Sequence, residues 1–174
     1  MLNLLMNRRS IRKYKDQEVD QEIIDKIIKG ALTSPSGRNT KPWELIVVTD
    51  KELLGSLGKS RGGISAHMKN AAFGIIVLAD PNITDTWIED TSIMATIIQL
   101  TSESLSLGSC WIQVRERFNA SKESVEDYVK KILTIPENYR VECMLAIGYP
   151  DEKKQAYTEE GLPYNKVHYN RDFK

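Results

Sequence analysis

Hydrophobic residues recur along this chain at helical and at strand spacing, which predicts an alternation of the two kinds of element. Between residues 20 and 32 they recur every three to four positions, as on one helical face: Ile23, Ile24, Ile27, Ile28 and Ala31. Asp20 is a suitable N-cap for that helix, and Val19 and Ile24 occupy the positions of a hydrophobic staple. The segment "SKESVEDYVKKIL" predicts a second amphipathic helix, and "MLNLLMN" at the start predicts a short helical face.

Four segments have the apolar, β-branched composition of strands: residues 44–49, 71–79, 110–114 and 141–149. Residues 71–79, "AAFGIIVLA", are apolar throughout, which is typical of a strand covered on both faces. Thr49 and Glu52 have the spacing of a capping box, so a short helix is predicted after the first strand. That helix should end in the glycines of "GSLGKSRGG".

The longest predicted helix runs from about Asp85 to Leu107 and should end at Gly108. Its apolar residues surround most of the helix: Trp87, Ile88, Ile93, Met94, Ile97, Ile98, Leu100 and Leu105. A helix that is apolar on nearly all sides must be buried, and a domain of this size covers one side more easily with a second subunit.

From Pro150 onward the chain is polar and shows no core-forming period. Such a tail is either disordered or lies across a neighbour. The aromatic residues Tyr164, Tyr169 and Phe173 favour packing against a neighbour. Because there is no internal repeat and no linker, residues 1–174 are predicted to form one domain, with 150–174 as a tail on the partner subunit.

Composition excludes several classes of partner. The 174 residues include 24 Lys+Arg and 24 Asp+Glu, so zero net charge gives no support to broad nucleic-acid or membrane binding. The longest apolar run is too short for a membrane-spanning helix. Cys110 and Cys143 both lie in apolar runs without metal-ligand spacing, which indicates inert buried thiols in a reducing cytoplasm.

The common catalytic motifs are missing from the sequence. His67 and His168 are far apart and fit no metal-binding spacing, and neither a nucleophile elbow nor a GxxxxGK[ST] phosphate loop is present. If the protein is an enzyme, a cofactor is expected to carry the chemistry.

The segment "RRSIRKYK", residues 8–15, concentrates positive charge in an otherwise neutral chain. On a helix, Arg8 and Arg12 would share one face, and in an extended segment Ser10 would join them. Either conformation brings two guanidinium groups together, which suits a phosphate or a planar carbonyl edge. The alternative is a solvated basic face without a ligand.

Two further segments could contact a flat polar ligand. Residues 34–43, "SPSGRNTKPW", could present backbone amides and the Asn39 side chain, or they could simply connect a helix to a strand. Residues 107–114, "LGSCWIQV", could aim backbone N–H groups at a ring nitrogen, or they could be a capped helix end followed by a core strand.

The order and spacing of these three segments resemble the nitroreductase family of FMN-dependent oxidoreductases, over residues 8 to about 149. The resemblance implies an α+β fold with a central, mainly antiparallel sheet flanked by helices. It also implies an intertwined homodimer with FMN in the interface.

Matched to the family motifs, Arg8, Arg9 and Ser10 would serve the FMN phosphate and ribityl chain, and Arg12 the N1–C2=O edge of the ring. The family's loop that reaches the flavin from the other subunit matches Pro35, Ser36, Gly37 and Asn39. The strand whose backbone backs the ring and donates toward N5 matches Trp111, Ile112 and Gln113.

The chain departs from the family pattern at two places. His67 or Lys69 stands where many members have another basic ring contact, and Lys166 and Arg171 stand roughly where many have an Arg pair for the phosphate.

The expected activity is transfer of hydride from NADH or NADPH through flavin N5 to an electron-poor acceptor such as a nitroaromatic or quinone, with ping-pong kinetics. Flavin reduction, dehalogenation and a non-catalytic FMN-binding, redox-sensing module are the alternatives.

Overall fold

Two strongly apolar strands form the centre of the fold. In the computed structural model, which describes residues 1–171, four strands make one antiparallel sheet in the order β1-β2-β4-β3. Their bounds are β1 (Trp43–Val48), β2 (Phe73–Ala79), β3 (Gly108–Gln113) and β4 (Arg140–Gly148). Every residue of β2 is buried, as its unbroken apolar run predicts, and β1 and β3 form the two edges.

Four helices cover the two faces of this sheet, and a short N-terminal helix packs on one of them, α4. In chain order they are α1 (Leu2–Asn7), which is the short one, α2 (Gln21–Leu32), α3 (Lys51–Leu57), α4 (Trp87–Ser104) and α5 (Val125–Leu133). Side chains alternate along the strands, so Ile75 and Val77 face a core with α2 and α4, whereas Ile76 faces a core with α3 and α5. The predicted α+β class with an antiparallel sheet is confirmed. Among the described helices, none has the length and apolar character needed to cross a membrane.

Two helix starts differ from the sequence prediction. Asp20 holds the N-cap position of α2, but its carboxylate makes no capping hydrogen bond. For α3 the cap is Asp50 rather than Thr49, because the Asp50 carboxylate accepts the Leu53 N–H at 2.8 Å. A carboxylate is well suited to that position, since the helix N-terminus carries partial positive charge. The helix therefore begins one residue later than the capping-box spacing indicated.

Helix α4 ends at Ser104, before the predicted Leu107, and the chain reverses at Ser106, whose φ is +64°. The prediction that Gly108 ends this helix is therefore wrong, because Gly108 is the first residue of β3. A side chain there would place its Cβ 2.7 Å from the Cβ of Ile11. The glycine is needed so that the N-terminal segment can lie against the sheet.

We expect Gly108→Ala to lower the free energy of unfolding by about 1–3 kcal/mol, because the added methyl group overpacks against Ile11. Gly55→Ala is the matched control, since a Cβ at Gly55 in α3 would meet nothing within 4 Å. That change should be neutral or stabilising, by up to about 1 kcal/mol. Urea denaturation of both variants compares them, and equal stability would contradict the packing role of Gly108.

Helix α4 buries only part of its apolar surface within one chain. Met94, Ala95 and Ile98 are fully buried, whereas Ile93 remains 40% exposed. Met1 and Leu4 line an apolar cavity of about 400 Å³ with Ile97 and Leu100 of this helix. One side of α4 is thus uncovered in the single chain, and the predicted second subunit would have to cover it.

The first part of the C-terminal tail packs on its own chain. Tyr14 forms an isolated antiparallel bridge with Pro150, the Asp151 N–H donates to the Lys13 carbonyl, and the Tyr157 N–H donates to the Met6 carbonyl. Residues 163–171 are exposed, so their packing on a partner subunit stays a prediction. Phe173, one of the three aromatic residues that favoured such packing, lies outside the described residues.

Candidate cofactor-binding site

The basic segment that follows α1 is extended, which decides between the two conformations considered above. Ser10 forms a parallel bridge with Ser109 of β3, and the Ile11 N–H donates to the Ser109 carbonyl at 3.0 Å. Ile11 turns into the core against Gly108, while Arg12 stays exposed. Tyr14 anchors the end of the segment: its buried hydroxyl donates to the Ile11 carbonyl at 2.6 Å, and the Ala146 carbonyl lies 3.0 Å away.

A basic cavity of about 340 Å³ lies beside this segment. All four predicted residues of the segment line it, together with two residues of the tail: Arg8, Arg9, Ser10, Arg12, Lys154 and Tyr157. The two tail residues were not predicted from the sequence, because the tail shows no period. The only signal was the Lys153-Lys154 pair shortly after Pro150. An anion is the ligand that such a cavity fits.

The outer edge of β3 offers backbone groups to a ligand. In an antiparallel ladder, alternate residues point their N–H and C=O groups away from the partner strand. The Val114 N–H bonds to β4, whereas the Ser109 and Gln113 carbonyls accept from outside the sheet. By the same alternation the Trp111 backbone faces outward, and Ile112 turns its backbone toward β4 and its side chain into the core. Between Ser109 and Gln113 about 13 Å of edge is open.

The side chains of this strand are held by a polar network. The Trp111 indole N–H donates to Gln113 Oε1 at 2.8 Å, and Gln113 Nε2 donates to Glu142 Oε1 at 3.0 Å. The other oxygen of the buried Glu142 carboxylate accepts from Arg115 Nε at 3.0 Å. Because both side chains are already hydrogen-bonded in this network, Trp111 and Gln113 can offer a ligand their backbone groups.

Residues 58–70 lie beside the β3 edge and bring two polar side chains near it. Arg61 Nη1 donates to the Gln113 carbonyl at 3.2 Å. His67 lies near enough to Arg12 for the two to interact electrostatically; burial, then Arg12, lowers the pKa of His67, so its imidazole is neutral at pH 7. Lys69 is exposed. His67, one of the two candidates for the second basic ring contact, thus lies near Arg12.

Two buried polar atoms in this region lack hydrogen-bond partners within the described chain. They are Nε of Arg61 and Nε2 of His67. An unpartnered buried polar group is unfavourable, and native proteins rarely keep one without a reason. Arg61 did not emerge from the sequence analysis, because a single arginine in a glycine-rich connection has no distinctive pattern.

The loop over residues 34–42 lies elsewhere. The Gly37 N–H donates to the buried Asp90 carboxylate at 2.8 Å, and Thr86 Oγ1 donates to the other oxygen of Asp90 at 3.2 Å. Arg38 and Asn39 adopt left-handed backbone angles, and Pro35 and Asn39 are exposed. The loop therefore sits at the N-terminal end of α4 and leads into β1, the sheet edge opposite β3.

Within one chain the predicted site residues thus form two separate groups. Asp90, which holds the loop, and Glu103, which lines a cavity with Arg9, are 13 residues apart along α4, or about 20 Å. The sheet adds three strand spacings between β1 and β3, about 14 Å. The structure brings the residues from 8–12 and 111–113 together, and places Pro35, Ser36, Gly37 and Asn39 away from them.

The two cysteines have no role in this arrangement. Cys110 and Cys143 are buried and unpaired, and burial raises the pKa of both thiols. They stay protonated near neutral pH and are poor nucleophiles, as predicted.

Comparison with known proteins identifies relatives over nearly the whole chain. The model of the nitroreductase family matches residues 5–61 and 55–149. A protein from Archaeoglobus fulgidus, provisionally named as an NADH dehydrogenase/NAD(P)H nitroreductase, is 35% identical over 90% of this chain and 88% of its own length. An iodotyrosine deiodinase from Thermotoga neapolitana is 23% identical over 96% of this chain and 95% of its own length.

A solved structure shares the fold closely. An FMN-dependent nitroreductase from Clostridium difficile superposes with a TM-score of 0.95 and 48% identity, covering 98% of this chain and 99% of its own. Sequence motifs, sheet topology and these similarities agree, and the chain belongs to the nitroreductase family.

Proposed function

We propose that this protein is an FMN-dependent oxidoreductase that passes hydride from NADH or NADPH to an electron-poor acceptor such as a nitroaromatic or a quinone. The observation that carries the proposal is the junction of the basic segment with the β3 edge. Arg8, Ser10 and Arg12 line an anion cavity, and Ser10 pairs directly with the strand whose outer edge is open. FMN combines a phosphate with a flat ring. The anion cavity fits the phosphate, and the open edge of β3 fits the ring.

The chemistry of the residues at this site is compatible with FMN. The basic cavity matches a phosphate in charge, and the outward backbone groups of the β3 edge match the polar rim of a ring. When bound, FMN supplies the hydride chemistry itself. Arg12 would place a permanent cation at the ring edge, the outward N–H groups of Trp111 and Gln113 would orient the ring, and neutral His67 would add a hydrogen-bonding group beside Arg12.

The functional unit in this proposal is a homodimer. The loop with Pro35, Ser36, Gly37 and Asn39 lies too far from the β3 edge to reach a ligand there in its own chain. A second copy would supply that loop, and it would also cover the exposed side of α4 around Ile93. The same proposal places the protein in the cytoplasm, where reducing conditions suit its two free buried thiols.

The first test is purification of the full chain. The proposal expects a yellow protein with flavin absorbance and the mass of a dimer, which oxidises NADH or NADPH when a nitroarene or quinone is added. A colourless protein that FMN does not reconstitute would exclude the proposal. Bound FMN without turnover would instead favour the redox-sensing module.

Mixed dimers test whether each site uses both chains. An Arg12→Ala chain and an Asn39→Ala chain, each impaired alone, should regain about one quarter to one half of wild-type activity when refolded together. Recovery is expected because a mixed dimer contains one site with both residues intact. No recovery in confirmed mixed dimers would argue that each site is built from one chain.

Reductive dehalogenation is the second candidate, because the Thermotoga neapolitana relative named as an iodotyrosine deiodinase aligns over nearly the full chain. Turnover of an iodophenol at a rate above that of nitroarenes would favour it. Comparable rates for free FMN or riboflavin as acceptors would favour a flavin reductase.

A further inference from the structure

The proposed reaction makes no use of the buried carboxylate of Asp90, near the start of α4. Asp90 is 3% exposed, and its donors among the described residues are uncharged. The Gly37 N–H donates to Oδ1 at 2.8 Å, and Thr86 Oγ1 donates to Oδ2 at 3.2 Å. A charged acceptor makes a stronger hydrogen bond than a neutral one, and burial keeps water from competing for it. Asp90 therefore attaches the loop over residues 34–42 firmly to α4.

The close approach of this loop to α4 requires glycine. A Cβ at Gly37 would lie 2.5 Å from Thr86 Oγ1. Gly37 does not adopt a positive φ, so the small size of the residue is what this position needs. Any side chain there would push the loop away from α4 and break the hydrogen bond to Asp90.

The attached loop has a backbone shape that must be held in place. Three of its non-glycine residues have left-handed backbone angles, with φ of +52°, +58° and +50°: Arg38, Asn39 and Lys41. Residues with side chains keep such angles only where their surroundings impose them. Ser36 Oγ accepts the Lys41 N–H at 2.8 Å and so shapes the loop internally, whereas the bond from Gly37 to Asp90 fixes it to the rest of the protein.

We propose that Asp90 is a positioning residue for the reaction: by holding Gly37, it places Asn39 at the flavin bound to the other chain of the dimer. The inference rests on the proposed function, in which this loop enters the partner's site. Asn39 is exposed and follows the buried attachment by two residues, so its side chain points out of its own chain from a fixed backbone.

Substitutions on both sides of the contact test this role, with turnover of NAD(P)H and a nitroarene measured in excess FMN. We expect Asp90→Ala to lower turnover about tenfold to a hundredfold, because small displacements of a positioned group cost this much. Asp90→Asn should recover most of it, since its amide oxygen still accepts the Gly37 N–H and its NH₂ can donate to Thr86 Oγ1. Gly37→Ala should resemble Asp90→Ala, because it pushes the loop off α4.

Asp85→Ala is the matched control. It removes another carboxylate that contacts the same loop, through Arg38 Nη2 at 3.3 Å. Both side chains of that pair are largely exposed, so solvent screens it and turnover should stay unchanged.

Mixed dimers separate positioning from a general loss of stability. Asp90 should act in the partner's site, as Asn39 does, whereas Arg12 acts in the site of its own chain. Asp90→Ala refolded with Arg12→Ala should regain about one quarter to one half of wild-type activity, because one site of each mixed dimer is intact. Asp90→Ala refolded with Asn39→Ala should regain none, because both sites receive an altered loop. A variant that is merely unstable would recover equally with either partner.

The outcomes separate the two levels of proposal. If the wild type is active, then full turnover in Asp90→Ala, no rescue by Asp90→Asn, or equal recovery with both partners would refute the role of Asp90 and leave the proposed function standing. Should Asp90→Ala not fold, Gly37→Ala replaces it in both mixed dimers, and the same pattern is required. A wild-type protein that neither binds FMN nor turns over overturns the proposed function and this inference with it.

Discussion

Replacing Arg12 with Ala is expected to reduce NAD(P)H oxidation by the FMN-loaded protein about a hundredfold, while the protein stays folded. Preorganised donors that face developing charge contribute about this much to catalysis. Arg12 is suited to such a role, because its backbone N–H is fixed by Glu152 at 2.6 Å while its side chain is exposed beside the open β3 edge. In the proposed complex that edge meets the part of the ring that gains negative charge on reduction.

The midpoint potential of the bound flavin gives a readout independent of turnover. Loss of the cation should make the potential more negative by tens of millivolts, since 30 mV corresponds to about 1.4 kcal/mol for two electrons. Arg12→Lys should keep the potential close to the wild-type value, because lysine retains the positive charge. Lys15→Ala removes an exposed charge from the same segment and should leave both values unchanged. An unaltered potential and rate in Arg12→Ala would refute the role assigned to Arg12.

The second large effect is expected in the core, at Glu126 of α5. Its nearly buried carboxylate accepts from Arg140 Nε at 2.8 Å, from Arg140 Nη2 at 3.0 Å and from the buried Val141 N–H at 2.9 Å. We expect Glu126→Ala to lower the free energy of unfolding by about 3 kcal/mol, because it leaves the buried Val141 donor and one face of Arg140 unpaired. In a domain of this size that loss corresponds to roughly 6–12 °C in Tm.

Thermal and urea unfolding of three variants would measure the contribution of the Glu126 carboxylate to the free energy of unfolding. Glu126→Gln keeps one acceptor for the Val141 N–H and should cost less than Glu126→Ala. Glu22→Ala removes an exposed i,i+4 pair with Lys26 and should cost about 0.5 kcal/mol or less. If Glu126→Ala were no more destabilising than Glu22→Ala, the anchoring of α5 to β4 by this carboxylate would be incorrect.

The predicted elements are confirmed where one periodic pattern dominates. The all-apolar run of β2 and the helical spacing of α2 and α5 each leave one conformation that buries their apolar atoms, so composition and period suffice. Element ends were predicted less well. Asp50 rather than Thr49 caps α3, and α4 ends before Gly108, because several residues near each end can satisfy the terminal backbone groups.

The residues of the candidate site also fall into two groups, those that could be predicted from the sequence and those that could not. Arg8, Ser10 and Arg12 could be selected from the sequence, because their spacing brings their side chains together within one short segment. Lys154, Tyr157 and Arg61 could not, since they reach the site only through pairings with distant residues: Tyr157 with Met6, and Arg61 with Gln113.

The sequence by itself determined the class of the fold, the family and the residue types of the anion site, because local period and motif spacing encode them directly. Only the tertiary structure decided which backbone groups of β3 remain open, that His67 lies near Arg12, and that the loop at Gly37 stands at the opposite edge of the sheet. Those outcomes depend on strand order and on contacts between residues far apart in the chain. The balance of many such contacts, rather than any local pattern, selects them.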